Sequence, residues 1–563
     1  MGVPYSVEKY ISLKLISGIC LSAVLILAFW LRFMGIEWGI PGLGDRIAAS
    51  YRSDEWLVFH WLLSMKPGQG DFNIHTYTNG TLFIYLLGVI YKLSSFLGFL
   101  KIGDTATFYY QNPDEWGRFY WIGRFATILL GTAATWLIYR AGRVAFNRRT
   151  ALLAALFYAI IPLNVVSAKH MLIEPAATLW FALAIFFNFK IIRNPSWKYY
   201  FYSALTLGSA CAVKINCAPL GVLLILAHLL GRLQNISFKA FCYELLSPKL
   251  CFAFVVSAVT YLLCNPYLIF NFQEAFQQLR MNYAQYQGAW RYLGYGHEVS
   301  LTHLLPYGFG MGFYLSSIIA CIGAVFFKKK EISYLLAGLA LFFYLNSRTG
   351  TFVVKYHIVL LPFLVLITAH FFDALLRVQV RWVAFLTSLA LGIVIYSTVN
   401  LSLSYDRLFQ REDARDQASE WIKNNVPPGD SLGVFMEPYY QSPPFLYNQY
   451  FFTGKSPKWE IKLRNPILTA DNQLDKFEKI KPDYYVISSR ENRVFNRMKS
   501  DLSKRDAWTK MESALDRLGY QRVADFENAL EDNGKPLLRG FPPEDWDQIL
   551  IQVRIYQRKS LAL

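Results

Sequence analysis

Long apolar runs separated by short basic segments fill the chain up to about residue 400, and the pattern then stops. Runs able to cross roughly 30 Å of hydrocarbon, about 17 to 25 residues each, stand near 12–33, 118–139, 150–167, 172–191, 199–213, 215–231, 250–270, 304–327, 332–346, 356–375 and 382–400. They predict eleven spanning helices, of which those at 199–213 and 332–346 are short. The first run has no small-residue cleavage site behind it, so it reads as an uncleaved span.

A twelfth run, "GTLFIYLLGVIYKLSSFLGFL" at 80–100, decides sidedness, because counting it as a span inverts every later loop. Without it, the basic segments 139–150, 190–198, Lys239 to Lys249, 328–331 and 377–381 share one side, which the positive-inside rule makes cytoplasmic. The run therefore reads as a helix lying in the outer interface, as its Tyr, Lys and Ser content permits. The amino terminus is then expected inside. The first loop (34–117), the turn at 167–172, the loops 271–303 and 347–355, and everything after residue 400 are expected outside.

The tail, 401–563, mixes an amphipathic helix ended by Pro427, Pro428 and Gly429 with β-branched runs at 431–436, 483–488 and 549–557 and a helical stretch at 500–518. It predicts a small α/β domain outside the membrane. With no cysteine, no Gly-rich phosphate loop and no nucleophile motif, it reads as a substrate-shaping or partner module and not as a second active site. The expected architecture is a polytopic α-helical membrane domain over 1–400 followed by this α/β domain over 401–563.

Composition agrees with that division. The chain is 54% hydrophobic and only 17% charged, too apolar for an ordinary soluble protein. Its 56 Lys and Arg against 39 Asp and Glu fit cytoplasmic loops and sites for anionic lipid, and argue against nucleic acid as a partner. Cys20, Cys211, Cys217, Cys242, Cys251, Cys264 and Cys321 lie in or beside apolar runs without metal-ligand spacing, so they read as small core residues.

The unusual polar residues gather on the expected outer side: Asp54, Glu55, His75, Lys169, His170, Glu174, Arg291, His297, Glu298, Lys355 and His357. Ionisable groups near membrane depth are costly and usually functional. A carboxylate at the interface backed by basic residues suits transfer from a lipid-linked phosphosugar to a hydroxyl, with the carboxylate as general base. The leaving lipid phosphate needs charge stabilisation, which Lys or Arg supply. Such a scheme requires no metal or other cofactor, although neighbouring carboxylates leave room for a divalent ion.

Several segments carry a family resemblance: "SDEW" in the first outer loop; "WIGRFATILLGTAATWLIYRAGRVAFNRRT" and its continuation through "SAKHMLIEPAATLWFALAIFF"; "ALTLGSACAVKINCAPL"; "NPYLIFNFQEAFQQL"; and "VVKYHIVLLPFLVLITAH". In order and spacing the chain resembles the GT-C glycosyltransferases of the dolichyl-phosphate-mannose protein mannosyltransferase and aminoarabinose transferase type. The resemblance implies a polyprenyl-phosphate sugar donor, a protein, lipid or glycan acceptor, inversion at the sugar, and an outer-face site in a bacterial inner membrane. It also implies an interfacial helix in the first outer loop. Carried over by residue, it puts the acidic pair on Asp54 and Glu55, with Asp54 as base, and a further acidic site residue on Glu174, where relatives usually have Asp. It makes Arg124, Lys214, Lys355 and Tyr356 donor-phosphate residues, with Lys–Tyr standing where relatives have Arg–Tyr. His75 stands where relatives carry His-Pro-Pro, here without the prolines, and Lys169 and His170 are further candidates.

Plainer readings stand beside these. Asp54 and Glu55 follow Ser53 ahead of an apolar stretch, as ordinary helix-capping residues do. Arg124 suits snorkelling to headgroups and Lys355 suits an interfacial anchor. His170 and His297 suit a wet loop, while Arg291 and Tyr292 suit either a place over the acceptor groove or an ordinary loop. Of other function classes, a secondary transporter predicts charges at mid-bilayer and two similar halves, which the sequence lacks; a scaffold predicts that Asp54 is dispensable.

Overall fold

The computed structural model describes residues 5–42, 50–232, 238–288, 296–348, 352–434, 438, 440–446, 464–468, 474–491, 502–532, 535–536 and 542–559. Arg291 and Tyr292 lie outside them. Every apolar run expected to span contains a helix, but the helices divide into two groups. Seven are long and apolar enough to cross: Leu15–Phe33, Pro113–Ala145, Ile173–Arg193, Ile215–Arg232, Lys239–Cys264, Val354–Leu376 and Arg381–Asn425. An eighth span is available if the bent pair Arg148–Ile160 and Pro162–Ala168 counts as one.

Against the eleven expected spans, seven or eight helices meet that length and apolar content by themselves. The other three runs form Trp197–Val213, of 17 residues, Met311–Ala324, of 14, and Lys330–Ser347, of 18. At 1.5 Å per residue the first two are shorter than the roughly 30 Å hydrocarbon layer, and the third is made polar at its ends by Lys330, Glu331, Asn346 and Ser347. The run at 80–100 forms Leu82–Phe96, of 15 residues, also too short to cross unaided, in keeping with an interfacial placement.

Pro113–Ala145 is the axis of the bundle, packed against the first helix, Arg148–Ile160, Ile173–Arg193 and Leu82–Phe96. The 59° bend between Arg148–Ile160 and Pro162–Ala168 has a local cause: Pro162 cannot donate to the ladder and forces Ile161 out of the helical region. The carbonyls so released would be costly in a membrane core. They are taken by buried donors: Arg32 reaches Tyr158 O at 3.3 Å and Ala159 O at 3.1 Å, Asn164 reaches Tyr158 O at 2.6 Å, and Ser402 reaches Ile160 O at 2.6 Å. Large apolar side chains such as Leu15, Ile19, Ile26, Val255, Leu263, Phe385, Leu389 and Ile393 face outward along the long helices, where lipid would cover them.

The tail opens with the helix Ala414–Asn425 and builds a five-stranded mixed sheet. Ser431–Val434 pairs in parallel with Arg464–Leu468 and Tyr484–Ser488; Gln552–Arg558 then pairs antiparallel with Tyr484–Ser488 and Tyr520–Glu527. Helix Leu502–Arg517 covers one face through Met511, Ala514 and Leu515, which pack with Tyr485 and Tyr520. Ala418 and Ile422 of the opening helix cover the other, against Leu432, Val553 and Ile555.

The tail is tied to the loop 34–112 by specific polar contacts. Tyr51 donates to Asp416 at 2.6 Å, and the Arg415 guanidinium lies 3.5 Å over the Tyr51 ring. Fully buried Arg415 is held by Asp413 at 2.7 Å and 2.8 Å and donates to the carbonyls of Tyr440 and Gln548 at 2.6 Å and 2.9 Å.

Candidate functional site

Four charged side chains meet where three helices begin and one ends. Asp54 is the second residue of helix Ser53–Ser64; Glu174 is the second of Ile173–Arg193; Lys355 is the second of the 3₁₀ turn Val354–Leu360; Lys214 caps the carboxyl end of Trp197–Val213. Each sign suits the helix end that carries it, carboxylates at amino termini and the Lys214 ammonium at a carboxyl terminus. The exception is Lys355, a cation at an amino-terminal end, which therefore needs an anionic partner.

That partner is Asp54: Lys355 Nζ donates to its Oδ2 at 2.6 Å. Lys214 Nζ donates to Glu174 Oε1 at 2.9 Å. Both ammonium groups lie over the Tyr356 ring, at 4.9 Å for Lys214 and 5.9 Å for Lys355, so the two pairs form one cluster around a shared aromatic face. Arg52 adds a third cation 3.9 Å from Asp54 Oδ2.

Asp54 retains 29% exposure, Lys214 16% and Lys355 12%, whereas Glu174 has 8%. The cluster is thus half-sunk and still open on the Asp54 side. Desolvation pushes the Asp54 carboxyl up, but the charges of Lys355, Arg52 and Lys214 outweigh it and hold the group down to about 2.

Lys214 is placed by a close backbone approach. Asn79 and Lys214 form an isolated antiparallel bridge, Gly80 N donates to Val213 O at 3.2 Å, and a Cβ on Gly80 would collide with the Ala212 carbonyl. Only glycine lets the loop lie against the chain at that point.

The other expected site residues stand elsewhere. Glu55 and Arg124 are both fully buried and face each other at 2.6 Å. Arg124 also donates to the carbonyls of Ile36 and Trp38 at 2.6 Å and 2.7 Å and to Ser50 Oγ at 3.1 Å; Glu55 accepts from Met171 N at 2.7 Å and from Ser50. This network staples the first loop to the bundle. It sets Glu55 and Arg124, expected at the site, in a buried network of their own and outside the cluster of Asp54, Lys355, Lys214 and Glu174.

Lys169 is likewise buried, paired with Asp406 at 2.7 Å and donating to the carbonyls of Leu31 and Met34. His170 is buried between Trp38 and Phe409, and neither ring nitrogen has a hydrogen-bond partner among the described residues. Its expected place in a wet loop or at the site is corrected to an aromatic packing position. His75 sits in the left-handed region at φ 51° and meets Glu274 of helix Phe272–Gly288 at 3.7 Å. His357 donates or accepts with Ser300 at 2.9 Å, buried. Asp54 and Glu55 do stand in the first turn of Ser53–Ser64, but no side-chain cap bond is made there, and the Ser53 amide is taken at 3.1 Å by Gln548 of the tail.

Sequence reasoning missed Arg52, Ser50, Asp545 and Gln548. Ser50 and Arg52 flank "SDEW" and were within reach of inspection; the two tail residues carry no local signal.

Residues 117–269 match the family described as dolichyl-phosphate-mannose-protein mannosyltransferase. The match bears out the recognition of a GT-C glycosyltransferase. This GT-C segment contains Glu174 and Lys214 and ends short of Asp54 on one side and Lys355 on the other. No curated protein matches the chain. Among solved structures it is similar to the archaeal oligosaccharyltransferase AglB of Archaeoglobus fulgidus, in complex with an inhibitory peptide and a dolichol-phosphate, at 12% identity over 95% of this chain and 75% of that one, TM-score 0.46. It is similar to ArnT of Cupriavidus metallidurans bound to undecaprenyl phosphate, at 12% identity over 95% and 97%, TM-score 0.46. The Saccharomyces cerevisiae Pmt1-Pmt2 complex bound to its sugar donor matches at 18% identity over 46% and 34%, TM-score 0.33.

Proposed function

We propose that this chain transfers a sugar from a polyprenyl-phosphate carrier to a hydroxyl acceptor, with inversion, at the outer face of a bacterial inner membrane. The observation that carries the reading is the single cluster of Asp54, Lys355, Lys214 and Glu174 around Tyr356, open on the Asp54 side.

In this reading Asp54 takes the proton of the acceptor hydroxyl as its oxygen attacks the anomeric carbon. The bond from that carbon to the phosphate oxygen breaks with its electron pair, and the lipid phosphate leaves as an anion. Lys214 and Lys355 receive it: the contacts described above use one donor of each ammonium, which leaves two N–H groups apiece for phosphate oxygens. Glu174 holds Lys214 in place and offsets part of its charge.

A base held down to about 2 by Lys355, Arg52 and Lys214 is weak. A donor phosphate drawing the ammonium towards itself returns basicity to Asp54 as the acceptor arrives, so donor binding primes the acceptor step. Against a solute carrier, the sequence shows no two similar halves of the kind transporters commonly carry.

The test is transfer of radiolabelled sugar from a synthetic polyprenyl-phosphate sugar by the purified full-length protein, alongside envelope mass spectrometry of cells with and without it. A glycan that loses one sugar in the deletion identifies the acceptor. An envelope unchanged by the deletion, together with no turnover of any polyprenyl-phosphate sugar supplied, defeats the reading.

A further inference from the structure

The tail segment Glu544–Gln548 touches both stretches of chain that bear the Asp54–Lys355 pair. Asp545 Oδ1 accepts from Val354 N at 2.9 Å and its Oδ2 from Lys355 N at 3.1 Å. The same carboxylate stands 3.8 Å from the Arg52 guanidinium, which also donates to the Asp545 carbonyl. Glu544 N donates to Phe352 O at 2.7 Å. Three residues on, Gln548 accepts from Ser53 N at 3.1 Å and donates to Ser53 Oγ at 2.8 Å, immediately before Asp54.

Asp545 is only 5% exposed. A carboxylate taken out of water is tolerated where charged donors and amides face it, and here those amides are the free N–H groups that open the 3₁₀ turn carrying Lys355. The arrangement sets where Lys355 begins, so it sets the reach of its ammonium. Arg52 is shared between Asp545 and Asp54, which couples the tail to the charge at the base.

Resting on the reading above, we propose that the tail completes the site: Asp545 is a positioning residue that fixes Lys355 for the donor phosphate, and Gln548 fixes the helix start that presents Asp54. The tail then acts as the clamp that brings two positions 301 residues apart into one ion pair.

The experiment measures binding of undecaprenyl phosphate to the full-length protein in detergent, with Asp545→Ala, Asp545→Asn, Lys355→Ala and the Asp545→Ala/Lys355→Ala double variant, each checked by thermal unfolding. Loss of a charge-assisted contact is worth about 1.4 kcal/mol, so Asp545→Ala is expected to weaken binding roughly tenfold. Asp545→Asn keeps one acceptor oxygen and should lose less, about threefold. In the double variant the tail has no ammonium left to position, so its binding should equal that of Lys355→Ala alone; a contact that merely holds the fold together would add a further loss.

Unchanged binding in both Asp545 variants, or additive losses in the double, overturns the inference while a weakened Lys355→Ala leaves the site reading standing. Should Lys355→Ala bind undecaprenyl phosphate as the parent does, the site reading falls and the inference with it. If Asp545→Ala does not fold, Asp545→Asn and its double with Lys355→Ala carry the same comparison.

Discussion

Lys355 and Asp54, 301 positions apart in the chain, share a 2.6 Å charge-assisted hydrogen bond at the mouth of the cluster. Neither is fully buried, and one belongs to the loop after the first helix while the other opens the late apolar helix Val354–Leu376. Replacing Asp54 by Asn keeps the size and an acceptor oxygen for Lys355 but removes the base. Turnover should fall by about 10² to 10⁴-fold while the protein remains folded. Single-turnover rates of purified Asp54→Asn with a polyprenyl-phosphate sugar check this; a rate equal to the parent's assigns the base elsewhere.

The pH dependence of the same carboxyl follows from its neighbours. Asp54 is held to about 2, below its ordinary 3.8, so its ion pair contributes stability in full above that ordinary value and loses it as pH falls towards about 2. The acid limb of kcat/KM for the free enzyme should not be set by Asp54 above pH ~4. In Lys355→Ala the largest opposing charge is gone, so the Asp54 carboxyl should titrate higher and any acid limb it sets should move upward. An unmoved limb in that variant would separate Asp54 from Lys355 functionally.

How much of this could be read from the chain is decided by where the information sits. The apolar runs placed the helices, because hydrophobic length is a local property. They say less about helix length, because Trp197–Val213 and Met311–Ala324 are shorter than the seven long helices. Asp54, Glu174, Lys214 and Lys355 were legible as charges at the edges of apolar runs. Arg124 and Glu55 looked the same in the sequence. Their difference lies in burial, since Ile36, Trp38, Ser50 and Met171 close over them. Asp545 and Gln548 were illegible for a simpler reason: their meaning comes from Lys355 and Ser53, at 190 and 495 positions' distance.

The buried Glu55–Arg124 pair gives a contrasting expectation. Arg124→Ala leaves a desolvated carboxylate without its cation, which costs about 3 to 5 kcal/mol. The loss should appear as a lower unfolding midpoint and poor yield in detergent, with the donor KM of the surviving folded protein close to the parent's. A donor KM that rises with no loss of stability would return Arg124 to the phosphate site.

Gly80 tests the remaining wall of the cluster. Its missing Cβ lets the loop lie against Ala212 and Val213, immediately before Lys214. In Gly80→Ala the new methyl meets a backbone carbonyl, which cannot rotate away as a flexible side chain would, so the two strands of chain must separate. Overpacking of this kind costs about 1 to 3 kcal/mol. The strain falls on the segment that aims Lys214 at Glu174 and the Tyr356 ring. Gly80→Ala should therefore raise the donor KM several-fold more than it lowers kcat at saturating donor, since Asp54 stands on a different element. Steady-state kinetics varying donor at fixed acceptor check it. A fall in kcat with donor KM unchanged would mean that the contact steadies the loop as a whole and leaves the Lys214 ammonium where it is.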